Sequence, residues 1–209
     1  MTDERRALVR LGAALASRDQ DVLRIGMGAC IRLGIDAEAE EVILQSYLFL
    51  GYPLALNAFS LWRELSGNPG VEATEDDWSA WVGRGKAVCQ TVYGGQYGGL
   101  RRNVKALHPD MERWMVIEGY GKVLGRPLLD LPTRELAIIA LLAVLRTPRQ
   151  LYSHVRGALN TGAALSEVEE ALREACLLLD EDGSREAWEV WDRLQSRQKG
   201  TRPGSSFGS

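Results

Sequence analysis

The chain has 209 residues, of which 45% are apolar and 25% charged, enough for a real core and against a disordered polypeptide. Its 25 basic and 28 acidic residues are well mixed and leave a net charge of −3, so no basic stripe points to nucleic acid. No apolar run is long enough to span a membrane, and the charged start MTDERRALVR has no apolar signal core, which together set the expectation of a cytoplasmic protein.

Helical periodicity dominates from the first residues, and β-branched alternation is scarce. Residues 6–34, RALVRLGAALASRDQDVLRIGMGACIRLG, predict two helices that stop at Gly34, a position suited to a left-handed cap. Asp36 then reads as the N-cap of a third helix, kinked at Gly51-Tyr52-Pro53. The spacing from Thr74 to Asp77 predicts a capped helix up to Lys86, with Trp78 and Trp81 on it. The stretch VYGGQYGGLRRN, residues 92–103, reads as a loop presenting Tyr93 and Tyr97; its glycines fit no phosphate-binding spacing. His108-Pro109-Asp110 opens a further helix. Pro132 and Pro148 suit the first turns of the next two, and Ser166 with Glu169 has capping-box spacing. Asp180-Glu181-Asp182-Gly183 reads as a break or an exposed turn, Trp188 and Trp191 share one helix face, and the polar tail from Ser196 is expected to be disordered.

Residues 134–162, RELAIIALLAVLRTPRQLYSHVRGALNTG, repeat the pattern of residues 6–34. An offset of 128 pairs Arg6 with Arg134, Leu8 with Leu136, Leu23 with Leu151 and Gly34 with Gly162. After the glycine the offset becomes 129, and Glu40, Glu41, Trp62 and Leu65 match Glu169, Glu170, Trp191 and Leu194. This predicts an all-α fold of two tandem helical units in pseudo-twofold arrangement. The expected bounds are 1–70 for the first unit, 71–108 for a connecting helix and Tyr/Gly segment, 109–195 for the second unit, and 196–209 for the tail.

Within the second unit, Glu135 and His154 stand 19 residues apart (154 − 135 = 19), and His154 is one of only two histidines in the chain. Together with EGYGKVLGRPLLDLPTREL (118–136), His154-Val155-Arg156 and Asn160-Thr161-Gly162, this frame resembles the carboxymuconolactone decarboxylase superfamily, which includes the alkylhydroperoxidase D-like redox proteins. The resemblance implies two alkylhydroperoxidase D-like units. It also implies a Cys-x-x-Cys pair in the redox branch, at positions occupied here by Thr147 and Gln150. The thiol chemistry is therefore missing and the acid–base pair remains. In the first unit Ala7 and Gly26 stand at the Glu and His positions, so that unit reads as a structural partner.

A histidine gives or takes a proton near neutral pH, and a carboxylate can fix its tautomer. Decarboxylation needs a proton donor and a cationic neighbour, and no metal or cofactor if the substrate delocalises the charge. Arg126, Arg146 and Arg156 are candidates to hold a substrate carboxylate, and Tyr120 and Tyr152 to line its pocket, with core packing as the alternative for the tyrosines and for Trp114. Arg134, Arg149 and Arg173 read as solvated faces, and His108 as a helix-entry residue. Competing readings are a core histidine bonded to a backbone carbonyl at His154 and a solvated first-turn glutamate at Glu135. Helix rise adds a geometric objection. Glu135 to Arg146 climbs roughly 16 Å while Arg149 to His154 descends about 7–8 Å, so a plain hairpin would need a steep crossing or a bridging water.

Cys30, Cys89 and Cys176 are odd in number, with neither metal-ligand nor redox spacing, and read as free buried thiols without disulfide or metal. The leading expectation is a cofactor-free lyase or proton-transfer enzyme acting on a small organic acid or lactone. The alternative is a non-catalytic scaffold or sensor, with a thiol oxidoreductase third. The resemblance implies hexamers of single units, so a homo-oligomer, a trimer of fused pairs, is expected, with no nucleic-acid or membrane partner.

Overall fold

A computed structural model describes residues 1–70 and 77–200, and among them there are helices and no strand. In chain order these are α1 (Asp3–Ser17), α2 (Gln20–Leu33), α3 (Asp36–Leu50), α4 (Tyr52–Ser66) and α5 (Trp78–Tyr93). A 3₁₀ turn (Gly94–Gln96) leads to α6 (Tyr97–Leu107) and α7 (Pro109–Trp114), which continues into a π-helical stretch (Met115–Leu124). Then come α8 (Leu131–Val144), α9 (Pro148–Asn160), α10 (Leu165–Cys176) and α11 (Glu181–Gly200). No helix among the described residues is long and apolar enough to cross a membrane.

The helix starts follow the sequence repeat. Helices α1 to α4 begin at residues 3, 20, 36 and 52, and α8 to α11 at 131, 148, 165 and 181, offsets of 128, 128, 129 and 129. The links match as well. Arg18 (φ 60°) and Arg146 (φ 56°), 128 residues apart, are the non-glycine residues with left-handed backbone among those described. After α2 and α9, Gly34 and Gly162 supply the left-handed turn, and the same pair of bonds closes both helices: Gly34 N–H to Ile31 and Ile35 N–H to Cys30, Gly162 N–H to Leu159 and Ala163 N–H to Ala158.

Helix α8 lies at the centre. Its residues from Thr133 to Ala143 are all buried, because α1, α9 and α10 pack around it. Gly12 of α1 lies against the carbonyl of Ala137 so closely that a Cβ there would collide with it. Around this crossing the units exchange reciprocal ion pairs. Arg6 on α1 binds Glu170 on α10, and Arg134 on α8 binds Glu41 on α3 at 2.6 Å. Each arginine and each glutamate occupies its repeat partner's position. The pairs differ in burial: the Arg134 and Glu41 side chains are 0% and 3% exposed, those of Arg6 and Glu170 31% and 24%.

Several local expectations change. Ile35, not Asp36, precedes the first residue of α3. Helix α10 starts at Leu165, and Glu167 rather than Glu169 reaches back to accept the Ala164 N–H at 3.0 Å. Asp77 itself caps α5, accepting from Ala80 N–H at 2.8 Å, whereas Thr74 lies outside the described residues. The Tyr/Gly segment is no loop: Gly94, at φ 51°, breaks α5, and Gly98 and Gly99 sit inside α6. Helix α11 runs through Ser196 to Gly200, and the rest of the expected tail, 201–209, lies outside the described residues. Arg134, read as solvated, is fully buried because α8 has no solvent face; burial lowers its pKa from the usual value, and the bond to Glu41 counters this.

The burial difference gives a test. Glu41→Gln leaves Arg134 buried without its counter-charge and should cost about 3–5 kcal/mol of stability. Glu170→Gln, which breaks the half-exposed counterpart, should cost about 0–1 kcal/mol. Urea unfolding of both variants checks the ratio.

Candidate active site

The first turn of α8 is set by Asp130, which accepts the Thr133 N–H at 2.9 Å, and by Pro132. Arg134 and Glu135 follow, and because successive helical residues point about 100° apart, one aims at α3 and the other at α9. At the far end of α8, Arg146 turns the chain back: its N–H reaches Ala143 and the Thr147 N–H reaches Leu142 at 3.2 Å. Thr147 thus starts α9 level with Leu142 instead of beyond the end of α8. Glu135 lies seven residues from Leu142 and His154 seven from Thr147 (142 − 135 = 154 − 147 = 7), so both stand about 10 Å from that bond.

This resolves the geometric objection without a bridging water. His154 Nδ1 donates to Glu135 Oε2 at 2.7 Å, with 8% and 1% of the two side chains exposed. A carboxylate accepts, so the ring N–H in this bond is the one on Nδ1, and Nε2 stands outside it. Gly157, one turn beyond His154, gives the carboxylate room: a Cβ there would stand 2.8 Å from Glu135 Oε2 and 2.8 Å from Val92. Phe49 of α3 holds the other side of the ring edge-on, centroids 5.5 Å apart. Neither a core histidine on a backbone carbonyl nor a solvated Glu135 fits these contacts.

His154 borders a cavity of about 620 Å³. Its Nε2 has no protein partner among the described residues. Much of the wall is aromatic: Phe49, Tyr52, Tyr93, Trp114 and Tyr120. Two hydroxyl pairings add polarity. Tyr47 donates to Glu118 at 3.1 Å, and Tyr120 donates to Tyr93 at 3.0 Å. Burial raises the pKa of all three tyrosines, so they stay protonated. Arg149, Gln150 and Ser153 of α9 complete the rim.

The proposed carboxylate-binding arginines lie elsewhere. Arg126 contacts Glu41 at 2.9 and 3.0 Å, beside Arg134, because the link between the π-helical stretch and α8 runs along α3. Arg146 forms the turn before α9 and faces Glu186 at 3.0 Å and Asp180 at 3.6 Å on α11 and its cap. Arg156 and Tyr152 border a separate hollow with Asn160 and Arg197, since they fall on the opposite face of α9 from His154. Tyr120 alone of the expected substrate-binding residues lines the His154 cavity. Arg149 is exposed, as read, yet stands at the cavity rim, and Gln150, at the second cysteine position of the resemblance, stands beside it. The spacing 149, 150, 153, 154 marks one helix face and was available in the sequence; Tyr47, Phe49 and Glu118 come from distant segments and had no such signal.

Residues 109–193 match the carboxymuconolactone decarboxylase family model. The match supports the superfamily. It spans α7 to most of α11 and so includes Glu135 and His154, while residues 1–108, which bring Phe49 and Tyr93 to the cavity, lie outside it. A comparison with curated proteins returns no match. Among the described residues no three His, Cys, Asp or Glu side chains are grouped to hold a metal ion.

The cysteines are free; Cys30 and Cys89 are fully buried, and burial pushes both thiols up to about 12. At pH 8 their thiolate fraction is about 10⁻⁴ and grows only as the pH approaches 12. An aromatic disulfide reagent at pH 8 should therefore titrate at most one thiol, Cys176, in the native protein and all three after denaturation.

Proposed function

We propose that the chain is a cofactor-free decarboxylase or related proton-transfer enzyme acting on a small organic acid or lactone, with one active site per chain. The observation that carries this reading is the buried 2.7 Å bond from His154 Nδ1 to Glu135, which leaves Nε2 facing a cavity large enough for a small molecule. In this scheme Arg149 at the rim holds the substrate carboxylate and the aromatic wall takes its body. The bond to the departing carboxylate breaks, CO₂ leaves, and the electron pair is delocalised into the substrate. Protonated His154 delivers a proton from Nε2 to the carbon and regains one from water, while Glu135 keeps the ring oriented and stabilises its positive charge.

The first unit is, in this reading, a degenerate copy kept for its walls. The matched helix starts support it, as do Ala7 and Gly26 at the acid and base positions. We also propose that the chain forms a homo-oligomer, with three copies giving the six units the resemblance implies. Trp78, Met111 and Trp114, half exposed around two hollows that share Trp114 and Glu118, support burial against a neighbour.

Turnover of a panel of keto acids and lactones tests the function. His154→Ala should abolish activity while leaving the helical spectrum intact. Glu135→Gln should slow it by less, within the about 10²–10⁴-fold typical of a general acid–base group. Full activity in His154→Ala would end the proposal. For the assembly, light scattering should give about three times the chain mass, and a monomer would overturn it.

A further inference from the structure

The hydroxyls of Tyr93 and Tyr120 meet at 3.0 Å on the cavity wall. Two hydroxyls carry two protons, and one is used between them. Whichever way that bond runs, one phenolic proton has no acceptor among the described residues. Tyr120 is the donor in that bond, so the free phenolic proton is on Tyr93, which also lines the cavity. Tyr120, donating to the Tyr93 oxygen, polarises that remaining O–H and strengthens it as a donor. The rings pack edge to face, centroids 5.8 Å apart, which fixes both oxygens.

We propose that the Tyr93–Tyr120 pair is an oxyanion site, which binds the delocalised negative oxygen of a planar enolate- or phenolate-like ligand in the same cavity as His154. The inference rests on the proton-transfer reading only in placing the rest of the ligand beside His154. The surroundings suit the assignment. Burial and the nearby Glu135 charge keep both tyrosines protonated, so the pair enters as donor rather than anion. Arg149 offsets Glu118 at the cavity, and the aromatic wall matches a planar ligand body. A preorganised donor in such an apolar setting acts where charge develops, here on the substrate oxygen that takes up the electron pair as CO₂ departs.

The test is equilibrium binding of 4-substituted phenols of graded acidity to the full-length chain at fixed pH, with 4-nitroanisole as a ligand of similar shape that cannot present an oxyanion. Affinity should rise with phenol acidity. Tyr93→Phe should weaken 4-nitrophenol by about 10- to 100-fold, the scale of a hydrogen bond to a charged group, and leave 4-nitroanisole unchanged. Tyr120→Phe, which removes the polarising donor and keeps the Tyr93 hydroxyl, should weaken 4-nitrophenol by less. Affinity independent of acidity, or 4-nitrophenol bound equally by Tyr93→Phe and the native chain, would overturn the proposal. Absent turnover with the phenol discrimination retained would sink the proton-transfer reading alone, and lost discrimination with turnover intact would sink this one alone.

Discussion

The buried pair of Arg134 with Glu41 governs the arrangement of the molecule. Two charges lie at the centre of a helical protein, away from water, and Arg134 is tolerable there because Glu41 supplies its counter-charge. The pair joins α8 to α3 across the two units and sets the rotation of α8 about its own axis. With Arg134 held toward α3, the next residue has one direction left, and Glu135 points at α9. A contact that joins the two units is thereby also the contact that aims the carboxylate of the candidate site.

The two units share helix starts, left-handed link residues and helix stops, yet they contribute unequally. The second carries Glu135 and His154. At the matching positions of the first stand Ala7 and Gly26. What the first unit supplies is Tyr47, Phe49 and Tyr52, at the junction of α3 and α4, which wall the second unit's cavity. Helix α5 and the π-helical stretch supply the rest. Gly85 and Gly121 let these two backbones approach to contact, which brings Tyr93 and Tyr120 together. A π-helical turn is a rare conformation that often marks a functional segment, and here it carries Glu118 and Tyr120 into the cavity.

Chemically the cavity is sparse. An apolar, aromatic lining weakens dielectric screening, so each fixed polar group counts for more than it would in water. One histidine held through Nδ1, two hydroxyl pairings and a rim arginine form a small set, but each member except Arg149 is held by a named partner. That preorganisation distinguishes the His154 cavity from the hollow around Arg156, where guanidinium groups stack on Tyr152 at the surface.

Much was legible along the chain. Helical periodicity, the prolines at N-termini and the glycines at C-termini are local signals, and they marked most of the helices. The Glu135/His154 frame was also visible, since a fixed separation within one helical hairpin is a property of sequence. Local reasoning failed where burial decides: Arg134 looked like any surface arginine, and only packing on all sides of α8 turns it into a central ion pair. It failed again where a backbone turn resets register, because rise per residue, summed from Arg146, ignores that Thr147 folds back level with Leu142. The arginines chosen by proximity in sequence faced other carboxylates or another hollow, since a helix distributes neighbouring residues around its circumference. The sequence by itself determined the all-helical class, most of the helices and the 19-residue spacing of Glu135 and His154. The tertiary structure decided which groups surround that pair, because a cavity is assembled from segments whose separation along the chain carries no information about their distance in space.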